Sequence, residues 1–442
     1  MNKKNDSNLW ILLLASLANG ICFSMILPLF APLIRQLSMS EFQAGLLVSV
    51  SALLMSLTAI WISKKAHWQN QYYLLSIGFI GMTITWGLFS AVLSYGVNYT
   101  VAMSILFSLL LLTRGSTGIF MAMPQIALQS YVMTSYTEEK QRSQMMAKLG
   151  SLNSLGLILG PLITTLLIVW GILIPLWIAV IILALMSIII VFLYKKNVGL
   201  KNSEVEHTSS DHISNTEPTY LNDQNSSSSI TQLVQENSLN ENIQDLEADQ
   251  NYLKKSMIWL ILGFSLYFAI VTLNLTAGFY IQDKFQLSIK QSAIYFSQCS
   301  LIVGFALVLM QIAISKWLKW SLQQLLMVGL SSMLIGLVIS ITTQNLIIFQ
   351  SAYIFYGIAV ACLMPAFTTG AAQSVGRDLQ TKIAALCTMV QALSLVVAPV
   401  MSTGIYQMNI VYPYYMLFGL FFLFSSYFII LKWKKENAYL TS

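Results

Sequence analysis

"LWILLLASLANGICFSMILPLFAPLI", Leu9–Ile34, decides which solvent this chain folds in. Lys3 and Lys4 precede it, and Ser16-Leu17-Ala18 resembles the small-residue end of a cleaved signal peptide. The apolar run nevertheless continues to Ile34. That is longer than the roughly 7–15 apolar residues of a signal core. It exceeds the roughly 20 needed to cross a hydrocarbon layer about 30 Å thick as a helix. The stretch reads as an uncleaved first span. The whole chain agrees: its 442 residues are 56% hydrophobic and 9% charged, with a mean hydropathy of +0.70. Soluble domains carry about 25% charged residues. Charges are too few here to coat a water-facing surface, so lipid is the solvent.

Twelve such runs follow one another, at about 9–34, 43–63, 72–95, 100–131, 144–169, 172–194, 256–282, 291–315, 322–342, 345–371, 381–405 and 410–431. Their length fits helices rather than the short alternating strands of a membrane barrel. Between the sixth and seventh runs the composition changes. "SSDHISNTEPTYLNDQNSSSS" is polar and of low complexity, and ten of the 17 acidic residues fall between Glu204 and Asp249. Such a segment cannot bury a core. The predicted organisation is a six-helix half over 1–196, a cytoplasmic disordered linker over 197–253 and a second six-helix half over 254–442. Within the linker, Ile230–Leu253 has the pattern of a weak amphipathic helix. The fold class is all-α integral membrane.

Charge placement orients the chain. With both termini inside, cytoplasmic connections and tails hold nineteen of the 23 Lys and Arg residues. The outer connections hold Arg35, Lys284 and Lys290, and Arg114 sits mid-helix. This is a positive-inside bias. It predicts a multi-pass protein with both termini in the cytoplasm, and few Arg beside abundant Lys, Asn and Ile suits an AT-rich bacterial genome and hence a bacterial inner membrane. All four cysteines, Cys22, Cys299, Cys362 and Cys387, lie in apolar runs, which argues against a secreted disulfide framework. The three histidines lie in polar connections, so no metal cluster is expected.

The halves echo each other. "QLSMSEFQAG" (Gln36–Gly45) and "QLSIKQSAIY" (Gln286–Tyr295) each separate two apolar runs. Ile62-Ser63-Lys64 recurs as Ile314-Ser315-Lys316, and Trp68 as Trp320. Pro124 and Pro161 in the fourth and fifth runs correspond to Pro365 and Pro399 in the tenth and eleventh. Proline bends a helix by removing a hydrogen bond. Paired bends in duplicated halves suit a machine whose halves rock around a central site.

At this point the chain resembles the major facilitator superfamily of secondary transporters. "ILPLFAPLIRQL" (Ile26–Leu37) is similar to that family's first-helix exit, and "RGSTG" (Arg114–Gly118) to its fourth-helix motif. "GLILGP" (Gly156–Pro161) resembles the fifth-helix motif associated with antiporters and exporters, with Thr164 and Thr165 where two glycines usually follow. The connection after the second run, "SKKAHW", has Ser63 in place of the family's Asp and Ala66 in place of its Gly. The resemblance implies twelve helices, alternating access, a small-molecule substrate and proton coupling.

The polar residues inside the runs are the candidate site. Arg114 is an ionised side chain at bilayer depth, which is costly unless it faces the bundle interior or a wet cavity. It either bonds backbone carbonyls of a neighbouring helix or serves as a cavity charge for an anionic or polar substrate. Asn19, Asn274 and Gln298 lie on helices expected from the resemblance to line the cavity. Tyr267 precedes Asn274 by two turns on one face, and Tyr353 and Tyr356 supply aromatic surface. No Asp or Glu is central in any run, which leaves Glu41 and Asp283, at the outer ends of the second and seventh runs, as proton-coupling candidates. Gly150, Gly156 and Gly160, with Pro161, are candidate gating positions: small residues allow close helix approach, whether as a sliding contact near the interface of the halves or as static packing.

These features predict a secondary transporter that exports a small organic molecule, whether a drug, a toxic metabolite or a siderophore-like anion, as a monomer and without a cofactor or nucleic-acid partner. Uptake of an anionic nutrient is the alternative, ahead of a membrane receptor. The runs hold no paired carboxylates, Ser/His set or metal ligands for an enzyme, and no phosphate-binding loop for a directly ATP-driven pump.

Overall fold

The structure is a computed structural model that describes residues 3–63, 71–135, 139–194, 227–318, 320–375 and 380–440. The regular elements among the described residues are helices. The first half comprises α1 (Lys3–Met25), α2 (Leu27–Gln36), α3 (Glu41–Ser63), α4 (Gln71–Asn98), α5 (Met103–Ser135), α6 (Glu139–Leu167) and α7 (Ile174–Leu193). The second comprises α8 (Ser227–Lys284), α9 (Ile289–Ala313), α10 (Leu322–Thr342), α11 (Leu346–Gln373), α12 (Gln380–Met408) and α13 (Tyr412–Leu440). A π-helical turn, Ile314–Leu318, prolongs α9.

Helices α1 and α2 form one bent span, broken where Pro28 enters the first turn of α2 because proline has no N–H to continue the ladder. Eleven spans among the described residues are long and apolar enough to cross a membrane. The remaining expected run, 144–169, falls on α6, whose Ile158–Leu167 portion is apolar.

One expectation changes. Composition placed a disordered linker over 197–253, yet α8 is helical from Ser227 through Lys284. Residues 195–226 lie outside the described residues. Ile230, Leu233, Leu239, Ile243, Leu246 and Leu253 recur at near-helical spacing. Extending a helix that the seventh span has already nucleated also avoids the costly first turn.

The halves repeat one packing scheme. In the first, α1 packs on α6, α3 and α4 on α5, and α4 on α7; in the second, α8 packs on α12, α9 and α10 on α11, and α10 on α13. The repeated connection quoted above shows the structural register of the duplication. Ser38 and Gln286 both adopt left-handed backbone, with φ of 57° and 52°, two residues past the ends of α2 and α8. Met39 N donates to Ile34 O (3.0 Å) and Leu287 N to Gln282 O (3.1 Å), the same helix-ending bond in each half. Ser40 and Gln43 then cap each other's backbone N–H at the start of α3, as Ser288 and Gln291 do at the start of α9. The equivalent residues are therefore 248 apart, not the 250 suggested by the shared Gln-Leu-Ser.

The halves meet through α3 against α12 and α6 against α9, and α2 also touches α8 and α9. These contacts lie toward the end opposite the termini, called the far end below. Ser49 Oγ donates to Val396 O at 2.6 Å, and Lys290 Nζ to Val169 O at 3.2 Å. A side chain at Gly45 would run into Pro399 O at 2.5 Å. Toward the termini, the faces of α3 and α12 that continue these contacts are exposed. Leu53 and Ile60 continue the Gly45–Ser49 face and are 44% and 53% exposed, and Met389, two turns from Val396, is 62% exposed. Antiparallel extrapolation from the Ser49–Val396 bond pairs Ser56 with Met389 once the two helices close. Cysteines at these two positions, in a Cys387→Ser background, are expected to cross-link only in a conformation closed at the termini end. Cross-linking with a short rigid reagent tests this; equal yield in all conditions would mean the faces never separate.

Candidate functional site

Two cavities follow the inner faces of α8, α9 and α11. The deeper one, about 260 Å³, lies between the halves. Its first-half wall includes Phe23, Ser24, Leu27, Ile158 and Pro161; its second-half wall includes Asn274, Ser300, Tyr353 and Tyr356. The second, about 410 Å³, lies nearer the termini and is lined by Tyr267, Gln311, Met364, Phe367 and Thr368 among others. The two linings adjoin: on α8, Tyr267 of one is a single turn from Ile270 of the other, and on α11 Ala361 and Val360 are consecutive. No charged side chain among the described residues lines either cavity.

The walls are fixed locally. Ser24 Oγ donates within α1 to Gly20 O (2.9 Å) and lies 3.1 Å from Gly156 O, tying α1 to α6. Tyr356 OH shares a 2.8 Å bond with Ser340 Oγ on α10. Asn274 Nδ2 donates to Ile270 O at 2.8 Å, one turn back. The hydroxyls of Ser300 and Tyr353, 9% and 4% exposed, make no hydrogen bond within the protein.

At the far end, charged side chains from both halves pair in a cluster called the latch below. Arg35, in the last turn of α2, donates to both carboxylate oxygens of Asp283 on α8, its Nη2 lying 2.6 Å from Oδ2. The same nitrogen donates to Glu41 Oε1 at 2.7 Å. Tyr406 OH on α12 donates to Asp283 Oδ2 at 2.6 Å, and the guanidinium carbon of Arg35 stands 5.2 Å from the centre of the Phe279 ring. Four helices from both halves converge on these charges. A bidentate guanidinium–carboxylate pair has the geometry of a strong, oriented contact. Lys284 fixes the adjacent end of α8 by donating to Ser340 O (2.6 Å) and Ile341 O (2.9 Å), carbonyls of the last turn of α10. A cation at a helix C-terminus is favoured by the dipole.

The sequence candidates divide accordingly. Asn274 lines the deeper cavity and Tyr267 the other, while Asn19 and Gln298 line neither. Gln298 Oε1 accepts from Gln350 Nε2 at 2.8 Å, joining α9 to α11. Glu41 and Asp283 are brought together on Arg35. Arg114 faces α4: its guanidinium carbon lies 5.2 Å from the Trp86 ring and 5.8 Å from that of Phe89, and the residue is 5% exposed. Its Nε and Nη1 make no hydrogen bond, and the guanidinium lies against these aromatic faces. Gly156 and Gly160 approach α1 of their own half, not the other half. A Cβ at Gly156 would stand 2.5 Å from Leu17 O, and one at Gly160 2.7 Å from Ile21 O. Pro161 faces the cavity. The surroundings of Gly150 lie outside the described residues.

Sequence reasoning missed Arg35, Tyr406 and Ser300 as site residues. Arg35 carried a signal, being a cation at an outer connection that offends the positive-inside pattern. Ser300 and Tyr406 carried none.

Comparison with known proteins accords with this architecture. Among solved structures, the nucleoside transporter NupG aligns over 99% of this chain and 99% of its own, with a TM-score of 0.64 and 12% identity. A POT family transporter in complex with 5-aminolevulinic acid aligns over 96% of each chain, with a TM-score of 0.65 and 14% identity. A bacterial homolog of the human lysosomal transporter Spinster, in an inward-facing and occupied conformation, aligns over 92% of this chain and 85% of its own (TM-score 0.61, 14% identity). At these identities the likeness speaks to the fold. Comparison with curated proteins returns no match. The family model described as Major Facilitator Superfamily matches residues 12–399, most of the length, and the chain belongs to that superfamily.

Proposed function

We propose that this protein exports a small organic molecule across a bacterial inner membrane by alternating access, coupled to inward proton movement. The observation that carries this reading is the latch: charges from both halves meet at the far end, while the α3 and α12 faces toward the termini are exposed. With the basic termini end taken as cytoplasmic, the conformation described here faces inward and is shut outside by Arg35, Asp283, Glu41 and Tyr406. Export is favoured by the antiporter-type Gly156–Pro161 sequence, whose proline lines the cavity.

The latch supplies the coupling. A proton arriving from outside and bound by Asp283 or Glu41 removes the negative charge that holds Arg35. The far ends of α2, α8 and α12 separate, the exposed faces of α3 and α12 close at the termini end, and cargo leaves outward. When the latch re-forms, the cavity again faces the cytoplasm. Binding energy for the latch and for the proton is thus exchanged within one bistable element.

Cargo and direction are tested by untargeted mass spectrometry of medium and cells from a deletion strain and its complemented strain. A compound lost outside and accumulated inside the deletion strain is expected; the reverse pattern would indicate uptake. Coupling is tested with Asp283→Asn and Glu41→Gln in proteoliposomes. Each is expected to bring transport down to the rate seen without a pH gradient, with substrate exchange retained. Full gradient dependence in both variants would remove the latch from the coupling mechanism.

A further inference from the structure

The three charges of the latch are divided unevenly between the halves. Arg35 and Glu41 belong to the first half, on α2 and α3, and Asp283 belongs to the second, on α8. Each half also supplies an internal partner. Arg35 Nη2 donates to Glu41 Oε1 at 2.7 Å, and Tyr406 OH donates to Asp283 Oδ2 at 2.6 Å. Tyr406 stands on α12, which packs along α8 within the second half, and its ring centre lies 6.0 Å from that of Phe279. The bidentate Arg35–Asp283 pair is what crosses between the halves.

The closed latch thus holds one positive and two negative charges. One added proton has opposite consequences on the two carboxylates. On Glu41 it leaves Arg35 and Asp283 as an intact ion pair across the boundary, and parting the halves would separate opposite charges. On Asp283 it leaves Arg35 neutralised by Glu41 inside the first half and a neutral acid inside the second. The halves then part without stranding an unpaired charge, the costly outcome at a partly buried site. A phenol hydroxyl can donate to a carboxylate or accept from a carboxylic acid, so Tyr406 serves Asp283 in both protonation states. Neighbouring groups are engaged elsewhere. Lys284 donates to Ser340 O and Ile341 O of α10, Lys290 of α9 donates to Val169 O, Tyr414 of α13 packs on Tyr280 with ring centres 4.2 Å apart, and α11 carries no charged residue. The Asp283 and Glu41 side chains are 25% and 20% exposed, so access does not choose between them; charge does.

We propose that the two carboxylates have different tasks. Asp283 carries the coupling proton, Glu41 is the standing counter-ion that retains Arg35, and Tyr406 is a positioning residue that holds Asp283 when Arg35 leaves. This rests on the alternating-access reading and decides which carboxylate is its proton site. In the step itself, a proton from the outer water adds to a carboxylate oxygen of Asp283, the hydrogen bonds from Arg35 to that carboxylate break, and Arg35 keeps its bond to Glu41.

The test uses full-length protein in lipid nanodiscs, with spin labels on cysteines at Ser56 and Met389 in the Cys387→Ser background. Cys22, Cys299 and Cys362 are buried and stay unlabelled. Pulsed electron paramagnetic resonance reads the distance between the labels, which becomes short when the termini end closes. With the latch intact, acidic buffer is expected to raise the short-distance population. Asp283→Asn is expected to raise it roughly tenfold already at neutral pH and to abolish the response to acid. Glu41→Gln is expected to keep the long distance in both buffers, because opening would now strand Arg35. Tyr406→Phe keeps the ring against Phe279 and is expected to lower the acid-induced population about fivefold, the effect of losing one hydrogen bond. Short distances at neutral pH in Glu41→Gln, or no change in Asp283→Asn, overturn the assignment, and an unchanged acid response in Tyr406→Phe overturns its positioning role. Arg35→Ala, measured beside them, separates this from failure of the transport reading. If it yields the short distance while the carboxylate variants depart from the expected pattern, alternating access stands and the assignment fails. If no variant and no buffer yields it, alternating access through this latch fails as well.

Discussion

Gly156→Leu is expected to remove most folded protein from the membrane. The α1 backbone passes so close to α6 that even a Cβ at this position would meet Leu17 O at 2.5 Å and Ile21 N at 2.7 Å. Those are backbone atoms, which cannot rotate out of the way as a side chain can. Overpacking a core costs roughly 1–3 kcal/mol when neighbours adjust. Here adjustment means separating two helices that Ser24 ties together through Gly156 O, so the upper end applies. About 3 kcal/mol shifts a folding equilibrium roughly a hundredfold, a large share of a marginal stability. Fluorescence-detected size-exclusion chromatography measures the outcome. A parent-like monodisperse peak would show that α1 and α6 can part cheaply, and would revive the sliding contact first considered for these glycines.

The second large effect is on conformation. Arg35→Ala removes the bidentate pair with Asp283 and the bond to Glu41, and leaves two carboxylates near each other with Tyr406 as the remaining donor. The paired side chains are 20–25% exposed. They fall between surface pairs, which contribute about 0–1 kcal/mol, and buried pairs, whose disruption costs about 3–5 kcal/mol. An intermediate value of about 2 kcal/mol displaces the equilibrium between the two gated states roughly thirtyfold. The Ser56–Met389 cysteine pair is therefore expected to cross-link much more in the Arg35→Ala background, because opening the far end closes the termini end. Equal yields with and without Arg35 would show that the latch does not set the resting conformation.

Much of the fold is legible because lipid imposes it. A helix must satisfy its own backbone in hydrocarbon, so each span appears as an apolar run. Residues 227–253 were harder, since their polarity hides a helix propagated from the adjoining span. The duplication was visible, but its register was two residues off. What repeats structurally is a left-handed turn at Ser38 and Gln286 and a Ser/Gln cap at Ser40 and Ser288, features held by backbone geometry more than by identity. At the site, Tyr267 and Asn274 could be read because one helix carries both. The Arg35–Asp283 pair could not, since its members lie 248 residues apart and neither has a local motif. Arg114 was conspicuous as a charge, but whether it meets a cavity or the rings of Trp86 and Phe89 depends on the rotation of α5.

The 248-residue register has a consequence for how this chain arose. It is also the separation of Arg35 from Asp283, so the two latch residues occupy the same place in their respective halves. In an ancestral pair of identical subunits related by a two-fold axis, each such position would face its own copy. Two arginines or two aspartates there would repel. The latch therefore postdates divergence of the two halves, and it sets which halves can pair: a first half can be locked only by a second, never by another first.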